Sequence, residues 1–454
     1  MTNRILDVEI RVHRLDPSAA EVWVLVTAEH ATAGTAVCGR LVGPKLPSTT
    51  TIEVAYAMQS FPKKPAELSD LARRVMIPQP NTWDAETPFV YDAVIELWQD
   101  GARCDSRAMP GLRLVPGEAL RVGNAPSTYS VARTGAALFD LSARGVMELS
   151  GADCVTFLHN LCTNDIKGLP PGSGCEFFLT NHKARVVGHG FAHRQVPGAP
   201  PRLVLDVDPG TGPKVATHLD RFIVSEQVEV ADRTGQWVTN HICGPQTLQL
   251  VEAIVPGIGA PGNLQSLIAD GVQYTRHDRL ALVGCDLIGP KSAVETIASR
   301  LVASGAVRAD AETFNLLRVE AGVPLDGVDF DGERFVVEVG RIAQAISYNK
   351  GCYLGQEPIV MARDRGHANR TLLGIQIEGL ESVSPGAKVF NGAEEAGQVT
   401  SSVSSPLVGS AIALAYLKRG FQTPGTKLLV EDRSAIVAAL PFIASHNNHV
   451  HAVQ

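Results

Sequence analysis

Over the first 118 residues apolar and polar side chains alternate in runs such as Glu21 to Thr27 and Ala93 to Trp98, separated by turn-rich stretches. A period of two places one apolar row on a single face of a strand, so these runs predict an all-β module of sandwich length. Val115-Pro116-Gly117 and Gly123-Asn124-Ala125-Pro126-Ser127 then punctuate a boundary. Beyond it the periods mix. Val155, Phe157, Leu158 and Leu161 recur at helical spacing, Leu203 to Val207 reads as a strand, and Pro213 to Phe222 as a helix. Thr313 to Gly322 predicts a further helix, with Gly322 where a left-handed C-terminal residue is expected. After Leu380 the helical pattern stops, and Pro385 to Val389, Gly397 to Ser401 and Ala411 to Tyr416 read as short strands.

The chain of 454 residues is too long for one ordinary core and suggests about three domains. A formal charge of -7 gives no general attraction to nucleic acid or to an anionic membrane. Neither a signal-length apolar start nor a run of 18 apolar residues is present, and the expected location is cytoplasmic. The eight cysteines contain no Cys-x-x-Cys pair, which argues against a zinc ribbon, a redox dithiol or a dedicated cluster site, so no metal site is expected.

Candidate chemistry concentrates in Lys350-Gly351-Cys352-Tyr353-Leu354-Gly355-Gln356-Glu357. Two glycines let the chain turn sharply, and Pro358 before Ile359, Val360 and Met361 fits the first turn of a helix. Cys352 then lies near a helix N-terminus with Lys350 beside it, both favouring a thiolate. The competing reading is a small buried hydrophobe in a Gly-rich turn. Asp165, in Thr163-Asn164-Asp165 after the first helix, reads either as a turn residue or as a carboxylate that steers protons. Glu320 faces the negative end of its helix, which asks for a partner. Arg318 and solvent are the ordinary candidates. Arg363, Arg365, His367 and Arg370 form a local positive stretch, fit either for an anionic tail or for a solvated turn. His446, His449 and His451 sit in a polar tail that reads as disordered rather than metal-binding.

The octapeptide resembles the signature of the YgfZ-type folate-binding proteins, relatives of the glycine-cleavage T-protein (aminomethyltransferase) that support iron-sulfur enzymes. Gly135 to Ser142, the helix Asp153 to Cys162, Thr163 to Ile166 and Leu169-Pro170-Pro171-Gly172 resemble the opening of the T-protein fold, and the strands after Leu380 its terminal barrel. The resemblance implies an α+β fold: a folate-binding core over residues 126–380, a small β-barrel over 381–445 and a tail over 446–454. It implies tetrahydrofolate as cofactor, bound by Glu320, Asp165, Arg365 and Tyr353, and Cys352 with Asp165 and Lys350 as the reactive set. Expected partners are folate and iron-sulfur client or assembly proteins. A folate-dependent one-carbon transferase is the alternative. T-proteins carry a Gly-Tyr-Thr-Gly-Glu element that Arg276 to Pro290 lacks, which favours the YgfZ side. Residues 1–118, through Pro80 to Asp92 and Gly111-Leu112-Arg113, resemble the immunoglobulin-like sandwich of β-galactosidase-type glycosidases, with no barrel following. Its partner is unknown, and Trp83 and Tyr91 are expected in its core rather than on a docking surface.

Overall fold

The computed structural model describes residues 3–45, 51–65, 68–82, 89–114, 119–122, 128–196, 201–257, 262–364 and 368–443. The chain divides into two compact units, Met1–Ala125 with Ser405–Gly409, and Pro126–Ser404 with Ser410–Gln454.

Among the described residues, the first unit is built from two four-stranded sheets. One runs in the order Arg73–Pro78, Ala19–Ala28, Ile5–Leu15, Ala119–Val122, and the other Val54–Ala57, Thr35–Lys45, Val90–Gln99, Ala102–Arg113. The alternation seen in sequence becomes strict alternation of burial along Ala19–Ala28 and Val90–Gln99. Their inward rows, Val22, Val24 and Val26 from one strand and Ala93, Ile95 and Leu97 from the other, join one apolar core. Tyr91 belongs to that core, fully buried, with its hydroxyl against the Asn81 backbone. Trp83 lies outside the described residues.

Among its described residues the second unit contains two more sheets and a closed barrel. The five-stranded sheet has the order Ser173–Thr180, Val186–Arg194, Arg202–Val207, Gly145–Ser150, Glu229–Asp232. The six-stranded sheet has the order Ser266–Ala269, Val272–Arg276, Gly284–Pro290, Trp237–Cys243, Ala137–Asp140, Val307–Ala309. Each sheet has one apolar face with helices on it. In the first, Phe177, Leu179, Leu203 and Leu205 pack with helices Cys154–Leu161 and Gly212–Asp220. In the second, Ile242, Tyr274 and Leu287 pack with Val294, Ile297 and Leu301 of helix Lys291–Ala303. Helix Ala311–Glu320 starts on Asp310, whose carboxylate accepts the Thr313 amide at 2.6 Å. Gly322 follows it at φ 68°, the left-handed conformation expected there.

The barrel closes through six strands, Arg370–Ile377, Ser410–Lys418, Glu394–Ser405, Lys388–Asn391, Lys427–Val430 and Arg433–Ala438. Its first strand falls inside the stretch assigned to the core from sequence, so the barrel begins before residue 381. Arg370–Ile377 hydrogen-bonds to Ser410–Lys418 and Arg433–Ala438. Those partners lie far along the chain and leave no local mark in the strand itself.

Candidate functional site

The opposite face of each sheet in the second unit is polar. Pairing of Glu176 with Phe191 and of Phe191 with Asp206 puts these side chains, with His189 and His193 two residues away, on the face turned from the apolar core. Pairing of His241 with Asp286 and of Asp286 with Thr275 does the same in the second sheet. The two polar faces meet. The Thr239 hydroxyl of one sheet donates to Asp206 of the other at 3.1 Å, and Arg279 bridges Asp206 at 2.7 Å and Asp286 at 2.8 Å.

The layer between them is a continuous ion and hydrogen-bond network. Arg144 donates to Asp206 at 2.7 Å and to Asp208 at 2.9 Å. Asp208 contacts His189 Nδ1 at 2.8 Å, and His189 Nε2 contacts Glu176 at 2.9 Å. Glu176 in turn takes a two-pronged contact from Arg341, at 2.8 and 2.5 Å. Asp286 accepts from His241 and His277, each at 2.7 Å. Burial alone pushes the His189 pKa down, but Asp208 and Glu176 outweigh it and raise it to about 9. Burial likewise acts to raise Glu176, which Arg341 and then His189 overcome, bringing it to about 2. At neutral pH the cations Arg144, Arg279, Arg341 and His189 therefore face the carboxylates of Asp206, Asp208, Asp286 and Glu176. A buried network balanced in this way offsets a desolvation cost of several kcal/mol per ion.

A cavity of about 500 Å³ opens on this layer. Glu176, Arg279, Arg341 and His277 on its wall belong to the network, and Phe191, Asn263, Asp278 and Gln344 complete the polar and aromatic surface. Burial lowers the His277 pKa in spite of Asp286. A neutral ring whose Nδ1–H donates to Asp286 keeps Nε2 as an acceptor, a base on the cavity wall. His193 is fully buried on the polar face and has no hydrogen-bond partner at either ring nitrogen among the described residues. Burial pulls its pKa to about 4, so it is neutral. A Cβ on the cavity residue Gly174 would stand 2.8 Å from its Nδ1. Planar recognition, paired donors and acceptors, and cations for an acidic tail are all available in a volume typical of small-molecule sites.

Among the described residues, the site residues singled out from sequence lie elsewhere on the second unit. Glu320 is 1 % exposed, and its carboxylate accepts from the Tyr129 hydroxyl at 2.9 and 3.1 Å and pairs with Arg133. Its neighbours Ala321 and Val323 are on the cavity wall, whereas Glu320 is not among the wall residues described. Arg318, considered as its partner, instead binds Asp329 at 2.6 Å and Ser401 at 2.7 Å. Asp165 is 44 % exposed at its side chain, accepts the Gly168 amide at 2.9 Å and lies 3.2 Å from His159 Nδ1. That is the geometry of the turn reading, off the cavity wall.

The octapeptide forms the turn that its glycines predict, and helix Gln356–Asp364 starts at its last two residues with Pro358 in the first turn. Gly355 has φ 81°, and a Cβ there would come within 2.5 Å of Thr180 Oγ1. Gly351 has open space around it. Lys350 is buried, with its ammonium donating to the carbonyls of His159, Cys162 and Asn164, the last two at 2.7 and 2.8 Å. These three acceptors use all three N–H groups and leave none for Cys352. Tyr353 lies under the ammonium, 4.7 Å from its ring centroid, in an apolar cluster with Phe178 and Ile359, and its buried hydroxyl has no partner among the described residues. Cys352 is exposed. Of the other cysteines in this unit, burial pushes Cys162 up to about 11 and Cys243 up to about 12, and raises Cys154, Cys175 and Cys285 as well. Arg365, His367 and the tail histidines lie outside the described residues. Arg363 pairs with Asp364, and Arg370 with Glu338 at 3.1 Å.

The network and cavity residues were missed in sequence because an alternating polar row in a strand reads as a solvent face. The signal was present in the segment Arg276 to Pro290, where the expected T-protein element is replaced. That segment supplies His277, Arg279 and Asp286.

Comparison with known proteins gives the GCVT N-terminal domain over residues 127–350, the glycine cleavage T-protein C-terminal barrel domain over 370–443, and glycosyl hydrolases family 2 over 3–110. An aminomethyltransferase of Rubrobacter xylanophilus is 28 % identical over 332 residues, covering 70 % of this chain and 86 % of that protein. A protein of Arabidopsis thaliana named as a chloroplastic transferase is 27 % identical over 319 residues, covering 68 % of this chain and 72 % of its own. The crystal structure of glycine cleavage system aminomethyltransferase T from Bartonella henselae superposes with a TM-score of 0.65 at 20 % identity, covering 74 % of this chain and 93 % of that one. Among the described residues no helix is long and apolar enough to cross a membrane, and no group of three or more His, Cys, Asp or Glu side chains is placed to hold a metal ion.

Proposed function

From a chain with the T-protein, aminomethyltransferase-like fold over residues 127–443 and a glycosyl-hydrolase-2-type domain before it, we propose a cytoplasmic tetrahydrofolate-binding accessory factor that supports iron-sulfur enzymes through Cys352. Tetrahydrofolate is the ligand of the T-protein family and fits the cavity by its chemistry. The bound folate supplies a one-carbon carrier. Phe191, with Arg279 over its ring, is an aromatic part of the wall, Glu176 and Asp278 are acceptors for an N–H edge, and Arg279, Arg341, Asn263 and Gln344 are donors for oxygens and an acidic tail. His193 has two free ring nitrogens on the same face. In this reading Glu320 supports the ligand indirectly, by fixing the start of the Ala321 to Val323 wall through Arg133 and Tyr129.

The observation that carries the accessory role is the exposure of Cys352 on the octapeptide, while five other cysteines of the same unit have thiols raised by burial. An exposed thiol can meet a client protein, whereas buried ones stay inert. The test has two arms. Calorimetric titration of the intact chain with tetrahydrofolate should show binding that Arg341→Gln weakens by about tenfold, with Gln344→Ala as a milder variant. No binding, or no effect of either substitution, refutes the cavity assignment. Iron-sulfur enzyme activity in a deletion strain should then be restored by wild type and not by Cys352→Ala.

A second reading, a folate-dependent one-carbon transferase, is favoured by the neutral His277 base on the cavity wall and by the names of the relatives. It predicts that Cys352→Ala is fully active and that His277→Gln is not.

A further inference from the structure

A second cavity of the T-protein-like unit, about 670 Å³, shares no wall residue with the first. Its wall carries the cations Lys183, Arg185, Arg370, Lys418 and Arg419 and one carboxylate, Glu338. Four chain segments contribute them: the turn after strand Ser173–Thr180, the short helix Val336–Val339, the start of strand Arg370–Ile377, and the end of strand Ser410–Lys418.

The cations there outnumber the one carboxylate, which neutralises only one of them. Glu338 is taken by Arg370 at 3.1 Å. Lys418 donates to the Glu395 carbonyl at 2.7 Å and Arg185 to the Glu333 carbonyl, contacts that satisfy N–H groups without removing positive charge. Lys183 and Arg419 have no side-chain partner among the described residues. Arg370 and Lys418 stand directly opposite each other on paired strands, and the Arg419 amide bonds to the Asn369 carbonyl at 2.8 Å. This concentration of cations arises in a chain whose formal charge is -7, so it does not follow from general composition. Phe335 adds an apolar surface and Asn369 an amide to the same wall.

We propose that this cavity is an anion site for a small ligand with two or more clustered anionic groups, phosphate or carboxylate. The volume is that of a small-molecule site. Guanidinium groups engage such oxygens in pairs, and Lys183 adds a mobile point charge. A bound anion offsets the excess positive charge of this wall, so ligand binding and local stability are linked.

The test uses the intact chain and two probes, inorganic tripolyphosphate and tri-γ-glutamate, titrated calorimetrically at low and moderate salt. At least one should bind, and the exposed double substitution Lys183→Ala, Arg419→Ala should weaken it by about tenfold or more with an unchanged unfolding midpoint. Preference for tripolyphosphate identifies a phosphorylated ligand, and preference for the peptide a polycarboxylate. If the double variant loses its fold, Arg419→Gln alone should weaken binding severalfold. Binding of neither probe, or equal binding by wild type and variant, overturns the proposal.

Discussion

Replacing Lys350 by Met keeps the aliphatic stem and removes only the ammonium, so it separates support of the fold from activation of the neighbouring thiol. The ammonium is buried, donates to three carbonyls at the end of helix Cys154–Leu161 and in the turn beyond it, and sits over Tyr353. A hydrogen bond of this kind contributes about 1 kcal/mol net, and more when the donor is charged. A cation over an aromatic face adds about 0.5–1 kcal/mol. The sum is roughly 3–4 kcal/mol, large against a total stability of about 5–15 kcal/mol. Burial lowers the Lys350 pKa, and the three carbonyls hold the ammonium at that helix end. Urea unfolding should therefore show Lys350→Met destabilised by about 3 kcal/mol, while the folded variant alkylates Cys352 within about twofold of the wild-type rate. A loss below about 1 kcal/mol together with markedly slower alkylation would show that the ammonium serves the thiol, and the argument from its three carbonyls would fail.

The glycines of the octapeptide should respond unequally. Gly355→Ala must adopt φ 81° and meets Thr180 Oγ1 at 2.5 Å and the Asn181 carbonyl at 2.6 Å, so it should cost at least about 2 kcal/mol in chemical unfolding. Gly351→Ala should cost under about 1 kcal/mol, and equal effects would contradict the geometry. His189 provides a pH test. Its folded pKa is raised from 6.5 to about 9, so its contribution is complete below about 6.5 and is lost as pH rises through about 9. Wild type should lose up to about 3 kcal/mol between those values, His189→Gln should show a flatter profile, and parallel profiles would refute the protonated bridge. Phe191→Leu should weaken tetrahydrofolate binding severalfold by removing this aromatic part of the wall, with a smaller effect on stability.

Much of the architecture was legible because burial and local period coincide. Helix Cys154–Leu161, the helix from Ala311 to Glu320 with Gly322 behind it, and the alternating strands of the first unit all bury the rows their sequences mark. The octapeptide was legible as a turn leading into a helix because Gly355 and Pro358 act locally. The partners of Lys350 and Glu320 were not. Both are charged residues whose counterparts lie 186 to 191 positions away, and nothing in the neighbouring sequence reveals a carbonyl trio or a Tyr–Arg pair at that separation. The polar layer was hidden for a different reason. His189, His193 and Asp206 alternate with buried apolar residues just as solvent-facing side chains do, and only a second sheet turning the same kind of face toward them makes the row an interior.

The polar layer also separates the two functional readings. A site that moves a proton repeatedly needs a group able to give it up, and His189 is held on both sides by carboxylates that raise its pKa to about 9, which fixes the proton at neutral pH. Asp206, Asp208 and Asp286 are likewise committed to arginine or histidine partners. On the cavity wall His277 is the group left with a free acceptor and a lowered pKa. If catalysis occurs there, His277 is the base to test first. If it does not, the layer serves as a rigid, charge-balanced cradle for folate, and the chemistry that reaches other proteins is left to the exposed thiol of Cys352. His277→Gln and Cys352→Ala, compared in the same two assays, therefore assign the function between them.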